Sequence, residues 1–282
     1  MEPMRYDELR GAGVSRRAID RAVASGALDR VWRGVYGSAD DRLEQLSALL
    51  KRLPADAAFG LHTAAELHGF GTGRRRDIHV MVPAGRPHPR IRGVRAHEAV
   101  LPLAPPTVVL GLPCTPALRT AVDLARSVRR MDALPILDAA LRVTGFPPDA
   151  LHGEVARHAG LRGIRQAREL ATLADARSEC RQESQLRLVV IDGGLPAPEP
   201  QVPVYDRAGF GVYRLDLAYR AARVGLEYDG QSHLDRVRLR ADRARMNWLE
   251  AHAWRMRYFT DQDLYGSPAL IVATVRATLA PR

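Results

Sequence analysis

Apolar residues recur along this chain with two periods, and the change of period marks the elements. Ala18, Ile19, Ala22 and Val23 fall at helical spacing behind Ser15, a residue suited to cap a helix, and the run stops at Ser25-Gly26. A short helix precedes it and closes at Gly11-Ala12-Gly13. Leu28, Val31, Trp32, Val35 and Tyr36 flank Arg33-Gly34, as in a small hairpin. Helix, turn, helix and hairpin across residues 1–40 is the order of a winged helix-turn-helix. Its second helix would expose Arg16, Arg17 and Arg21, and Arg33 would sit on the wing, where such modules meet phosphates and base edges. The competing reading is a small helical bundle with a solvated basic face.

Residues 41–175 mix both periods. Helices are predicted from Leu43 to Leu53 and over AFGLHTAAELHGF, and strands over DIHVMVP and VRAHEAVL. TPALRTAVDLARSV and MDALPILDAALRV have amphipathic helix patterns, and Pro and Gly punctuate loops between 83 and 116. His62, His68, His79 and His97 show no ligand spacing beside a carboxylate, so they read as surface or hydrogen-bonded imidazoles. Arg74-Arg75-Arg76 reads as a solvated loop or a phosphate contact. From about residue 176 the pattern predicts α-β-β-β-α-β-α, with a helix over SECRQESQLRLVVID, strands over QVPVYD and WRMRYFT, and a long basic helix from His233.

The hairpin VYRLDLAYRAARVGLEYDG raises the chemical question. A symmetric turn centred on Ala221-Ala222 pairs Tyr219 with Val224, Ala218 with Gly225, Leu217 with Leu226 and Asp216 with Glu227. Directly opposite residues have Cβ atoms about 4.5–5.5 Å apart on one face. Alternation adds Asp229 to that face and puts Leu215, Leu217, Leu226 and Tyr228 on the other. Two carboxylates so close take up a proton or share a cation, and a hard divalent ion such as Mg2+ or Mn2+ suits oxygen ligands. Glu183 shares a helical stripe with Leu186 and Val190, so it faces the core and needs a partner there. His233 follows as a base or water-positioning group. The alternative is that the acids form surface salt bridges with Arg214, Arg220 and Arg223.

Charge sharpens the choice of partner. The net charge is +10 and the pI near 10.3, which favours a polyanion, although all but one of the 42 basic residues are arginine and a GC-rich genome would also drift that way. Arg236, Arg238, Arg240, Arg243 and Arg245 on the long helix would hold a nucleic-acid backbone. Cys114 and Cys180 form no CxxC pair and read as ordinary buried thiols. The first residues carry no apolar signal-peptide core and no stretch is long enough to span a membrane, so a cytoplasmic protein is expected.

Two resemblances follow from the motifs. GVSRRAIDRAVASGALDRVWRGVYG, LHTAAELHGF, DIHVMVP and TPALRTAVDLA resemble the AbiEi-type antitoxin family over roughly residues 5–150. That likeness implies a winged helix followed by an α/β domain, acting as a DNA-binding repressor of a toxin–antitoxin operon. D-x10-E-x-D-G with a following histidine resembles the PD-(D/E)xK endonuclease superfamily. The run from ESQLR through RLDLAY, VGLEYDGQSH, DRARMNWL and AWRMRYFT resembles its short Vsr-like members. This second likeness implies Asp216 and Glu227 as metal ligands, Glu183 as a helix-borne acid, Asp229 in place of the superfamily's lysine and His233 as the Vsr-like histidine. Asp242 and Arg257 match recurrent positions. No lysine is present in this part of the chain, so no lysine could activate water.

The expectation is therefore an α/β, α+β multidomain protein: a winged helix-turn-helix (1–40), an AbiEi-like α/β domain (41–175) and a restriction-endonuclease-like, Vsr-like domain (176–282). The expected function is DNA binding with Mg2+- or Mn2+-dependent phosphodiester hydrolysis at Glu183, Asp216, Glu227, Asp229 and His233. The alternative is a repressor or antitoxin whose nuclease-like domain is inactive. Double-stranded DNA is the expected partner, with RNA as the alternative substrate, and a toxin or a second copy of the chain as protein partner.

Overall fold

The computed structural model describes residues 3–38, 41–71, 77–103, 105–230 and 236–280, with the side chains of 236–242 left out. The chain packs as two compact units, Met1–Thr120 and Ala121–Arg282. Together they hold three sheets in a mixed α/β architecture.

The first unit opens with β1 (Met4–Arg5), α1 (Tyr6–Gly11), α2 (Arg16–Ala24), β2 (Asp29–Trp32) and β3 (Val35–Gly37). Its sheet has the order β1-β3-β2, all antiparallel. Ser15 caps α2 by accepting from the Ala18 N–H at 3.2 Å. Ile19 is 1% exposed and anchors α2, while Arg16, Arg17 and Arg21 lie on the open side. The helix α3 (Arg42–Leu50) follows, then β4 (Ala58–Phe59), α4 (Leu61–Leu67), β5 (Ile78–Pro83), β6 (Val94–Ala99), β7 (Thr107–Val109) and β8 (Leu112–Cys114). These five strands form the sheet β6-β5-β4-β8-β7 over a core of Leu46, Leu49, Phe59, Val80 and Val82. Trp32 packs against this core and donates to the Gln45 carbonyl at 3.0 Å, so the small sheet is keyed into the larger one.

The second unit begins within α5 (Ala117–Ser127) and continues through α6 (Arg130–Thr144), α7 (Pro148–Arg157), α8 (Ile164–Ala171) and α9 (Arg181–Asp192). Then come β9 (Glu199–Tyr205), β10 (Gly211–Tyr219), β11 (Val224–Tyr228), α10 (Arg236–Ala251) and β12 (Arg255–Phe259). A π-helical turn, Gln262–Gly266, leads into α11 (Pro268–Leu279). The sheet order is β12-β11-β10-β9, with β11 and β12 parallel and the other pairs antiparallel. Leu186, Val190, Leu217, Leu226 and Ile271 form a core between the sheet, α9 and α11, and Val202, Leu215, Ala218 and Leu249 form a second one under α10. A buried ion pair, Arg187 to Asp138 at 2.7 Å, ties α9 to α6. Burial pushes the Asp138 carboxyl up, against the pull of Arg187 and the Asp175 N–H.

Several expectations change here. AFGLHTAAELHGF is a two-residue strand followed by α4, not one helix. The segment read as loops between 83 and 116 also holds β7 and β8, and α7 and α8 had no counterpart in the pattern. Leu215 was placed with Leu217 but packs with Val202 and Leu249 under α10.

Candidate functional site

Two surfaces carry the expected chemistry, one in each unit. In the first, Arg16, Arg17 and Arg21 project from α2, and Arg33 forms the β2–β3 turn with Gly34, whose φ of +78° needs no Cβ there. All four arginines are exposed. Of these four, only Arg16 forms an ion pair among the described residues, with Asp20 at 3.8 Å on the same helix. An exposed pair at that distance contributes little. The face is free to meet an anion.

In the second unit the hairpin closes as the symmetric turn predicts. Leu217 pairs with Leu226, Ala218 with Gly225 and Tyr219 with Val224. Asp216 and Glu227 lie one residue beyond that register and line one pocket with Asp229, Arg245 and Tyr258. The salt-bridge alternative is not what forms. Arg214 pairs with Glu179 at 2.8 Å, Arg220 with Glu199 at 2.8 Å, and Arg223 donates to the His252 carbonyl at 3.1 Å.

The pocket holds its acids at high energy. Burial, then the charge of Glu183, pushes the Asp216 carboxyl up to about 6. Burial also pushes Glu227 up to about 7, with Asp216 and Asp229 adding to it and Arg245 opposing. Glu227 is 7% exposed and Glu183 also 7%. Glu183 accepts from the Gln201 amide and from the Glu179 N–H, each at 2.9 Å. Gln201 adopts φ +54° inside β9, a strained conformation for a residue with a Cβ, and its amide reaches Glu183 from there.

Arg245 has partners inside the pocket. It was counted with the nucleic-acid contacts of α10, yet its guanidinium donates to Glu227 and to the Arg214 carbonyl, and lies 5.7 Å from the Tyr213 ring centre. Leu249, one helical turn on, is fully buried, so both stand on the sheet-facing stripe. Arg243 is exposed. His233 and the side chains of Arg236, Arg238, Arg240 and Asp242 lie outside the described residues, as do Arg74, Arg75 and Arg76. Arg257 donates to the Met256 carbonyl at 2.7 Å, a structural contact. Gln201, absent from the expected site, joins it.

Among the described residues, no group of three or more His, Cys, Asp or Glu side chains is arranged to hold a metal ion. The histidines of the first unit pair instead: His79 and His97 ring nitrogens lie 3.1 Å apart, and His68 meets the Thr115 carbonyl at 2.8 Å. Cys114 is buried and Cys180 half-buried, where Cys180 caps α9. Burial pushes both thiols up to about 11. No described helix is long and apolar enough to cross a membrane.

Residues 5–39 match a family model described as Transcriptional regulator, AbiEi antitoxin, and residues 57–173 match AbiEi antitoxin C-terminal domain. Neither stretch reaches the acid pocket. The chain is 36% identical over 264 residues to Uncharacterized protein Rv2248 and Uncharacterized protein MT2308, both of Mycobacterium tuberculosis, covering 93% of this chain and 96% of each relative. A crystal structure of the Rv2827c protein from the same species is similar at TM-score 0.45 and 16% identity, over 65% of this chain and 75% of that one.

Proposed function

Because this chain belongs to the AbiEi antitoxin family, we propose that it is a transcriptional regulator of a toxin–antitoxin pair that binds double-stranded DNA through α2 and the β2–β3 turn. The observation that carries this reading is the arginine face of α2, exposed opposite the buried Ile19. Phosphate contacts give such a face its affinity and make it sensitive to salt. Family membership also implies a toxin as partner. Arg17→Ala is expected to weaken binding of a duplex taken from upstream of the protein's own gene. It should also lower the slope of log affinity against log salt by about one. Fluorescence anisotropy over a salt series measures both, and a variant indistinguishable from the parent would sink the reading.

The acid pocket favours a second reading, metal-dependent phosphodiester hydrolysis by a Vsr-like domain in the second unit. Its support is the gathering of Glu183, Asp216 and Glu227 with two carboxyls pushed up to about 6 and 7. Asp216 and Glu227 would hold Mg2+ or Mn2+, which when bound would act as a Lewis acid on a phosphoryl oxygen. Glu227 gives its oxygen to Arg245 in this structure, so this reading requires Arg245 to let go. Asp229 is exposed and adds negative charge to the pocket, where a lysine would have added positive. Nicking of supercoiled plasmid by the pure protein, with Mg2+, with Mn2+ and with chelator, tests it beside Asp216→Ala. Nicking that needs metal and disappears in the variant supports hydrolysis. Its absence, or equal nicking by the variant, leaves the regulator alone.

A further inference from the structure

The first unit gathers cations at a second place. A cleft of about 570 Å3 opens between β1, the start of α1, the β2–β3 turn and the residues that end α3. Arg5, Arg30, Arg33, Lys51 and Arg52 line it, from four separate stretches of chain. Asp7 is the one acidic residue in its lining. Lys51 is already matched, to Glu8 at 3.1 Å, and Arg5 donates to the Lys51 carbonyl. Glu8 is committed to that end of the cleft, because it also takes the Arg5 N–H at 2.7 Å.

Arg30, Arg33 and Arg52 make no ion pair among the described residues. Like charges repel, so packing alone gives no reason to collect them around one opening. The walls are fixed before any ligand arrives. Tyr6 donates its N–H to the Gly34 carbonyl at 2.9 Å, and β1 pairs with β3 through Met4–Tyr36 and Arg5–Val35. A rigid cleft with unpaired guanidinium groups suits phosphate oxygens, which arginine can meet with two parallel hydrogen bonds.

We propose that this cleft seats the phosphate backbone of bound duplex DNA, in addition to the contacts of α2, so that the DNA footprint extends beyond the winged helix to Lys51 and Arg52. The inference rests on the DNA-binding reading above. It makes Lys51 and Arg52, which follow α3 and lie outside the stretch matched to the regulator model at residues 5–39, part of the binding surface.

The test uses the full chain and a labelled random-sequence duplex of about three helical turns, titrated between about 50 and 200 mM KCl. Arg30→Ala with Arg52→Ala is expected to weaken binding roughly tenfold at the low-salt end and to lower the salt slope by about two. Arg30→Lys with Arg52→Lys keeps the charge and should retain most of the slope, which separates lost phosphate contacts from lost folding. Arg17→Ala serves as the control for the α2 face. If Arg17→Ala weakens binding while the double alanine variant binds like the parent with the same slope, the cleft is not a phosphate site and the DNA-binding reading stands. If the parent itself fails to bind the duplex across the range, the DNA-binding reading fails and this inference falls with it.

Discussion

Asp216→Asn is expected to stabilise the protein by about 2–3 kcal/mol at pH 8 and to change it little at pH 4. The carboxyl sits in a pocket where burial and Glu183 push it up to about 6, against an ordinary value of 3.8. A raised carboxyl binds its proton more tightly in the folded protein than in the unfolded chain. Its contribution is therefore favourable below about pH 4 and is lost as pH rises through about 6. At pH 8 the parent must hold a buried charge, whereas asparagine holds none and can still accept from the Tyr228 N–H, which reaches Asp216 at 3.4 Å. Urea unfolding of both proteins at the two pH values gives the comparison. An asparagine variant no more stable than the parent at pH 8 would mean that the folded protein holds the Asp216 charge without cost.

Arg245→Met should act in the opposite direction. Its guanidinium is the charge that answers Glu227, and the Glu227 side chain is 9% exposed. Removing one partner of such a pair leaves the other charge buried without compensation, which costs several kcal/mol when both are fully enclosed. Arg245 keeps 29% of its side chain in water, so about 2 kcal/mol is expected at pH 8. The loss should shrink at pH 5, because Glu227 is pushed up to about 7 and then carries its proton. Adding Glu227→Gln to the methionine variant should recover most of the stability at pH 8. Equal losses at both pH values, or no recovery, would assign the role of Arg245 to packing against Tyr213. The residues at positions 216, 227 and 245 share one pocket, so their effects will not add.

The acid pocket was legible because its parts are local. The symmetric turn around Ala221-Ala222 alone fixes which strand residues face each other, and the three observed pairs follow from it. Glu183 announced its burial by its spacing from Leu186 and Val190. Arg245 was harder to place, since a run of arginines reads as a solvated face until packing against the sheet picks one of them out. The turn between β7 and β8 escaped for another reason. Leu110 and Gly111 both take positive φ, 51° and 79°, which is the geometry of a tight hairpin, but leucine is not a residue that advertises it. The helix α7 was not among the predicted elements, although Pro148 at its first position with Leu151 and Val155 behind it suits a helix start.

The Asp138–Arg187 pair bears on how such a chain can be inherited. Asp138 stands on α6, within the stretch matched at residues 57–173, and Arg187 stands on α9, beyond it. Gln185, also on α9, donates to the Met131 carbonyl on α6 at 2.9 Å. A recombination event joining foreign coding sequence near residue 176 would separate these partners and strand polar groups that now satisfy each other out of water. The helix α6 of the matched stretch and the helix α9 that packs against the four-stranded sheet are thus held together by polar contacts that neither can make alone.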